Sequence, residues 1–356
     1  MVGPRPGPDA VLIRTRAGGE HKLHDGPPSG LTLVLPAAAV SARLDGPEGS
    51  GEHDRVELGE LFMRRRLLVL ICAAVVALVA SGCDLRTLVP DGVAPLRFRD
   101  EVFSSVTVTS NVVYGSAVTQ TGTTQSLVLD VYQPTGDTLT GRPAIVWVHG
   151  GSFSSGSKPS AELVDEATTF AKKGYVNVSI NYRLVAGGCS SGTITAACVT
   201  GIQDAKHDAQ AAVRFLRANA AAYGIDGRRI AIGGTSAGAI TALNVGYDSG
   251  DPGTSGNSGW PSNVSAAVSL SGAHVFGSME AGDAPALLFH GSSDTVVPYQ
   301  WAVNTETDAA TAGLTAYLTT WTGAGHVPYT QHRTQIIDET TNFLYWELDL
   351  AHVPAA

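Results

Sequence analysis

The sequence predicts an α/β fold, in which one doubly wound, mostly parallel sheet carries helices on both faces. Short apolar runs such as 144–148 (AIVWV) are typical of strands that are buried on both sides. Segments with helical character alternate with these strands, as parallel crossover connections require. In addition, 44% of the 356 residues are hydrophobic, which is ample for one large core.

The predicted elements begin with two strands of alternating character, at 102–118 and 126–132, which we expect to pair antiparallel at an edge of the sheet. The further predicted strands are 144–148, 175–180, 229–233, 264–270, 286–289 and 314–321. The predicted helices are 161–173, 204–223, 237–247, 299–312 and 330–348. We therefore expect one domain over 101–350, without a separate cap domain.

The N-terminal region contains the features of an export signal. Met63 is followed by three arginines and by an apolar run at 67–80, which is too short to span a membrane comfortably. The run ends in Ala-Ser-Gly-Cys, which resembles a bacterial lipobox and predicts a lipid anchor on Cys83. An ordinary cleaved signal followed by an unrelated cysteine is the alternative. We expect an exported protein, held at the outer face of the bacterial cell membrane or else secreted.

The segments around this signal are predicted from composition. Residues 1–62 are rich in Pro, Gly and charge, so we interpret them as a misassigned upstream segment, with Met63 the true start, or as a disordered region. Residues 63–82 are the predicted lipoprotein-type signal peptide. Residues 83–100 contain prolines and a glycine and are predicted to be a tether.

Cysteines and charge limit the function classes. Cys189 and Cys198 are predicted to form a disulfide if the chain is exported; two buried thiols are the alternative. The formal net charge is -9 and no basic stripe is present, which argues against a nucleic-acid partner. The sequence contains no zinc spacing, phosphate loop or dinucleotide fingerprint, so neither a metal nor a cofactor is expected. Asp204, His207 and Asp208 share a predicted helix, and we interpret them as a solvated face.

The motif Gly-Thr-Ser-Ala-Gly at 234–238 follows the predicted strand 229–233 and opens the helix 237–247. The pattern alone is weak in a chain with 41 glycines. The strand–turn–helix setting strengthens it, because a sharp turn there would leave the hydroxyl of Ser236 free at the carboxyl end of the sheet. Ser236 is therefore the candidate nucleophile, and a plain glycine turn with a capping serine is the alternative.

A second glycine motif, His-Gly-Gly-Ser-Phe at 149–153, follows the buried strand 144–148. Glycines can leave backbone N–H groups turned toward a developing oxyanion, so the candidate donors are Gly150, Gly151 and Ala237. Ser152 and Phe153 are candidate lining residues of the substrate pocket. His149 is expected to hold this loop rather than to take part in chemistry.

The candidate acid and base lie on the loops after the last two predicted strands. Asp294 follows strand 286–289, and His326 follows strand 314–321. Each could be explained alone, as a turn-capping Asp and as an exposed loop histidine. Their chain order after Ser236 nevertheless matches a serine, acid and base triad, in which His326 takes the serine proton and Asp294 orients the imidazole. His290 is expected only to pack at the end of its strand.

These motifs, with the runs SLVLDVYQP, GYVNVSINYR and HGSSDTVVPY, resemble the bacterial carboxylesterase/lipase branch of the α/β-hydrolases over roughly 125–345. The resemblance implies the α/β-hydrolase fold and cleavage of a small carboxylic ester through an acyl-enzyme. Ser152 stands where one group of that branch has a third glycine, and the insert after 181–184 is unlike that group. A serine peptidase of the prolyl-oligopeptidase type and a non-catalytic binding module at the cell surface are the alternatives.

Overall fold

The computed structural model describes residues 84–189 and 194–353, and these residues form an eight-stranded sheet. The strands lie in the order β1-β2-β4-β3-β5-β6-β7-β8. Their bounds are Val106–Val118 (β1), Thr124–Pro134 (β2), Arg142–Val148 (β3), Val176–Ile180 (β4), Ile225–Thr235 (β5), Ala266–Leu270 (β6), Ala286–Gly291 (β7) and Ala316–Trp321 (β8). β1 and β2 pair antiparallel at the edge, as predicted, and β2 pairs antiparallel with β4; all other neighbours are parallel.

Helices cover both faces of this sheet, which confirms the predicted α/β architecture. They are Ala161–Lys172 (α1), Ala196–Ala218 (α2), Ala220–Tyr223 (α3), Ala237–Tyr247 (α4), Tyr299–Thr311 (α5) and Tyr329–Glu347 (α6), followed by a 3₁₀ turn at Leu350–His352. One core cluster joins α2, α4 and α5 to one face of the sheet. A second cluster joins α1 and α6 to the other face. The central strands β3, β4 and β6 are buried along their whole length, so they carry few polar side chains.

The parallel strands β3, β5, β7 and β8 bring four loops to one edge of the sheet. Their carboxyl ends meet there because parallel neighbours run in the same direction. The loops that follow these strands carry the glycine motif at 149–153 and the residues Ser236, Asp294 and His326. The topology therefore places every predicted site motif at one rim of the sheet.

Three sequence predictions need correction. Residues 84–100 are not a free tether, because Arg86 donates to Thr319 Oγ1 on β8, Trp346 Nε1 donates to Leu88 O, and Phe98 is buried. The helix predicted at 204–223 begins at Ala196 and breaks at Asn219, which the glycine- and threonine-rich sequence upstream concealed. β5 begins at Ile225 rather than 229, since Ile225 already pairs with Arg142.

The predicted signal peptide, the lipidation of Cys83 and the segment 1–62 lie outside the described residues. Among the helices that are described, none combines the length and the apolar character needed to cross a bilayer.

Candidate active site

Ser236 occupies a sharp turn between the end of β5 and the start of α4. Its backbone has φ 55° and ψ -115°, a region that costs free energy for a residue with a side chain. The turn is held on both sides, because Ser236 N donates to Leu270 O on β6 at 2.8 Å and Ile240 N donates to Ser236 O at 3.0 Å. The strain therefore persists, and the hydroxyl stands at the mouth of the site with the residue only 9% exposed.

Two glycines let the strand and the helix around this turn pack closely. A Cβ on Gly234 would lie 2.5 Å from the backbone of Gly238, which is far inside van der Waals contact. A Cβ on Gly238 would lie 1.9 Å from Val148 O at the end of β3. The spacing of the motif at 234–238 is therefore a packing requirement at this position.

The structure brings Ser236, His326 and Asp294 into one hydrogen-bonded chain. His326 Nε2 lies 2.8 Å from Ser236 Oγ, and His326 Nδ1 lies 2.7 Å from Asp294 Oδ2. Because a carboxylate only accepts, Nδ1 carries a proton and Nε2 of the neutral ring is left to accept from the serine hydroxyl. This tautomer is the one that a general base needs.

Asp294 is surrounded by hydrogen-bond donors, one of which is the imidazole of His326. Burial raises the pKa of Asp294, but hydrogen bonds from His290, His326 and the Val296 N–H outweigh burial and hold that pKa well below its usual range. Asp294 Oδ1 accepts from Val296 N at 2.8 Å and from Val297 N at 3.1 Å. The carboxylate is therefore ionised over the whole physiological range and is fixed in orientation.

His290 is a site residue that the sequence analysis assigned only to packing. It is fully buried, and its Nε2 lies 3.1 Å from Asp294 Oδ2 and 3.0 Å from Val297 O. It contacts the same carboxylate oxygen as His326 and so supports the position of Asp294. The sequence did contain a signal for this contact, because His290 lies only four residues before Asp294 and one tight loop connects the two.

The loop at 150–153, here called the glycine loop, presents backbone N–H groups next to Ser236. A Cβ on Gly150 would lie only 3.3 Å from Ser236 Cβ. Among the hydrogen bonds of residues 84–189 and 194–353, none uses the N–H of Gly150, Gly151 or Ala237. Donors left free beside a serine hydroxyl are available to an oxyanion. Ser152 and Phe153 have positive φ, at 52° and 60°, so the loop is held in a strained form.

His149 lies behind the glycine loop. Its ring stacks on Tyr182, with 4.3 Å between ring centroids, and its Nδ1 lies 2.6 Å from Gly150 O. Burial lowers the pKa of His149, and the hydrogen bond to Gly150 opposes this only in part. The ring is therefore neutral and holds the backbone of the loop, as the sequence analysis expected.

Two cavities meet at Ser236. The first, here called the apolar pocket, has about 490 Å³ of empty space, part of it open to solvent. Besides Ser236, Ser152 and Phe153, it is lined by Cys189, Ile194, Cys198, Ile202, Ala237, Ile240, Val275, Val296, Val297 and Trp301. The second, here called the open cleft, has about 780 Å³ of empty space and is bordered by His326, Gly151, Ser160 and Glu162. The two groups that flank a bond reacting at Ser236 Oγ could thus lie in different cavities.

Cys189 and Cys198 form the predicted disulfide, and both contribute to the wall of the apolar pocket. Cys198 lies in the first turn of α2, where its N–H is capped by Thr195 Oγ1 at 3.2 Å. The insert that distinguishes this chain therefore reaches the site itself.

The carboxylates and the histidine at 204–208 do not form a metal site. Asp204 and Asp208 both pair with Arg183, and His207 pairs with Asp251. The interpretation of a solvated helix face was wrong for Asp208, which is fully buried. Across the described ranges, no group of three or more His, Cys, Asp or Glu side chains is arranged to hold a metal ion.

Two family models match the chain: BD-FAE over residues 129–281 and TAP-like protein over residues 258–346. A probable N-octanoylanthranilate hydrolase of Rhodococcus erythropolis is 36% identical over 100 residues, which are 27% of this chain and 20% of that protein. A phenmedipham hydrolase of Pseudarthrobacter oxydans is 38% identical over 105 residues, 28% of this chain and 19% of that protein. The matched segment spans about a fifth of the length of these curated relatives.

Solved structures match the fold over more of the chain. Esterase 2 of Thermogutta terrifontis, phosphoramylated by tabun, has a TM-score of 0.56 at 21% identity, covering 73% of this chain and 100% of that one. A truncated carbohydrate esterase from gut microbiota has a TM-score of 0.52 at 23% identity, covering 70% of this chain and 98% of that one. At these identities the likeness establishes a shared fold.

Proposed function

We propose that this chain, which belongs to the α/β-hydrolase superfamily, is a serine hydrolase that cleaves carboxylic esters through an acyl-enzyme. One observation carries the proposal: His326 joins Ser236 Oγ, at 2.8 Å, to Asp294 Oδ2, at 2.7 Å. Beside them lie the N–H groups of Gly150, Gly151 and Ala237, which no hydrogen bond within 84–189 and 194–353 uses. The two family models and the segments shared with the N-octanoylanthranilate hydrolase and the phenmedipham hydrolase support it.

The geometry supports a two-step reaction. Ser236 Oγ bonds to the ester carbonyl carbon while His326 Nε2 takes the hydroxyl proton, and the carbonyl oxygen becomes an oxyanion facing Gly150, Gly151 and Ala237. The intermediate then breaks its bond to the alcohol, which leaves with the proton from His326. Water repeats the sequence on the acyl-enzyme, so that the acid is released and Ser236 regains its proton.

Replacing Ser236 with alanine tests the proposal. With p-nitrophenyl butyrate as substrate, we expect Ser236→Ala to lower kcat/KM by a factor on the order of 10⁴, because no covalent intermediate can form. A fluorophosphonate probe should label the parent protein and not the variant. Undiminished turnover in a folded Ser236→Ala protein would refute the assignment.

The same assays separate the two alternatives. On an added panel of peptide amides, a prolyl-oligopeptidase-type peptidase would show turnover, whereas an esterase would leave them intact. A binding module without catalysis would be neither labelled by the probe nor active on any ester. The intact chain of hydrogen bonds from Ser236 to Asp294 favours the esterase over the module.

We also propose that the protein is exported and attached to the membrane surface through a lipid on Cys83. The basic residues after Met63, the apolar run at 67–80 and the Ala-Ser-Gly-Cys ending support this. Metabolic labelling with a clickable palmitate tests it: Cys83→Ser should lose the label and move from the membrane fraction to the soluble fraction. A Cys83→Ser protein that stays in the membrane fraction argues against the anchor.

A further inference from the structure

We propose that the Cys189–Cys198 disulfide is a positioning device of the active site: it holds the glycine loop in its strained form and closes the wall of the pocket that takes the acyl group. The inference rests on the proposed function, because it concerns the same site. It assigns to the disulfide a role in rate and in acyl-group selection, beyond the stabilisation that any cross-link gives.

The first step is the contact between the chain before Cys189 and the glycine loop. Cys189 N donates to Ser152 O at 2.8 Å, and Val185 N donates to Phe153 O at 2.8 Å. The two segments touch directly, since a Cβ on Gly188 would lie 2.1 Å from Ser152 O. Both acceptors belong to residues with positive φ. These bonds therefore hold the part of the loop that is strained.

The second step is the contact between α2 and the same loop. A Cβ on Gly201 would lie 2.8 Å from Phe153 Cβ, so the helix packs tightly against this fully buried ring. The disulfide joins Cys189, whose N–H binds the loop at Ser152, to Cys198 in the first turn of α2, the helix that packs on Phe153. Without the cross-link the two supports are independent, and the loop can relax.

The third step is the position of both sulfur-bearing residues in the apolar pocket. The pocket is lined by Cys189, Cys198, Ile194 and Ile202 together with Trp301 and Ser236. An acyl chain bonded to Ser236 Oγ would extend into this apolar space, and the open cleft, which also reaches Ser236, is left for the alcohol. Removal of the disulfide should therefore change both the position of the N–H donors and the length of acyl chain that fits the pocket.

The test uses the mature protein and a double variant, Cys189→Ala with Cys198→Ala. Rates are normalised to the concentration of sites that a fluorophosphonate titrates, so only competent enzyme is counted. We expect kcat for p-nitrophenyl acetate to fall on the order of tenfold, less than loss of an oxyanion donor, because the donors are displaced and not removed. We expect the ratio of kcat/KM for octanoate over butyrate to change by threefold or more.

Reduction of the parent protein with tris(2-carboxyethyl)phosphine supplies the same comparison without removing the sulfur atoms, so the side-chain volume in the pocket wall is kept. Two thiols then fill the pocket wall, and reoxidation should restore both the rate and the chain-length profile. If the disulfide merely stabilises the fold, its reduction should lower the melting temperature and leave the rate and the chain-length profile unchanged. That result would overturn the inference. Failure of the proposed function is distinct, because then the parent itself would either not be titrated or not hydrolyse the esters.

A second variant keeps the inference testable if the double variant does not fold. Gly201→Ala leaves the disulfide intact and pushes a methyl group against Phe153. We expect kcat to fall, with a moderate drop in melting temperature because the added methyl group overpacks a buried contact, whereas Gly250→Ala, a matched control whose added Cβ would meet nothing within 4 Å, should keep both. Parent-like kcat and chain-length profile in Gly201→Ala would count against control of the site through this loop.

Discussion

Gly238 and Val148 approach each other so closely that a Cβ on Gly238 would lie 1.9 Å from Val148 O. The contact joins the first turn of α4 to the end of β3, between Ser236 and the glycine loop. This backbone contact thus sets the spacing between the serine turn and the glycine loop.

Gly238→Ala should therefore be strongly destabilising. Backbone atoms cannot move aside cheaply in a packed sheet, so we expect a loss of about 3 kcal/mol in the free energy of unfolding. Urea denaturation followed by circular dichroism measures it. Gly250→Ala is the matched control. Equal free energies of unfolding in the two variants would show that the close contact of Gly238 with Val148 O does not control stability.

Asp294→Asn should keep the fold and lose most of the rate. The amide nitrogen can donate to His326 Nδ1, which favours the tautomer that cannot accept the serine proton, so we expect kcat to fall on the order of 10⁴-fold. Initial rates with p-nitrophenyl butyrate measure it, and Asp91→Asn on the exposed surface is the control. A kcat within tenfold of the parent would contradict the assigned role.

Trp301→Ala should shift the preference toward longer acyl chains. Trp301 lines the apolar pocket, so its removal adds space where an acyl chain would end. We expect the ratio of kcat/KM for octanoate over butyrate to rise roughly tenfold. Trp260→Ala removes an exposed tryptophan outside that pocket and should leave the ratio unchanged. Equal ratios in both variants would remove Trp301 from the acyl site.

Glu347→Gln should stabilise the protein in neutral and alkaline solution. Burial raises the pKa of Glu347 to about 7, above the value near 4.3 expected in the unfolded chain. Below about pH 4 the group is protonated in both states. Ionisation then favours the unfolded state increasingly up to pH 7 and uniformly above it.

Melting temperatures across this range measure the effect. The variant should equal the parent at pH 4 and exceed it at pH 8. Glu280→Gln, at an exposed position, should show no such divergence. A difference in melting temperature between Glu347→Gln and the parent that stays constant from pH 4 to pH 8 would contradict the raised pKa.

The sequence predicted the architecture and the order of site motifs because both depend on local patterns. Buried parallel strands appear as short apolar runs, and their loops meet at one edge whatever the order of the strands. The support of Asp294 by His290 was missed, because one tight turn brings the two side chains together and apolar patterning does not describe turns. The packing of 84–100 depends on the contacts of Arg86 with Thr319 and of Leu88 with Trp346. The two residues of each pair lie far apart in sequence, and no periodicity could predict such contacts.

In the proposed acyl-enzyme mechanism the alcohol departs before the acid, and the two cavities that share Ser236 give each product its own space. An acyl chain seated in the apolar pocket stays bonded to the enzyme while the alcohol diffuses out through the open cleft bordered by Glu162. The vacated cleft is then the entrance for the attacking water, on the side where His326 stands ready to deprotonate it. Release of the acid comes last, so added nucleophiles such as methanol should compete with water and divert the acyl group into a new ester.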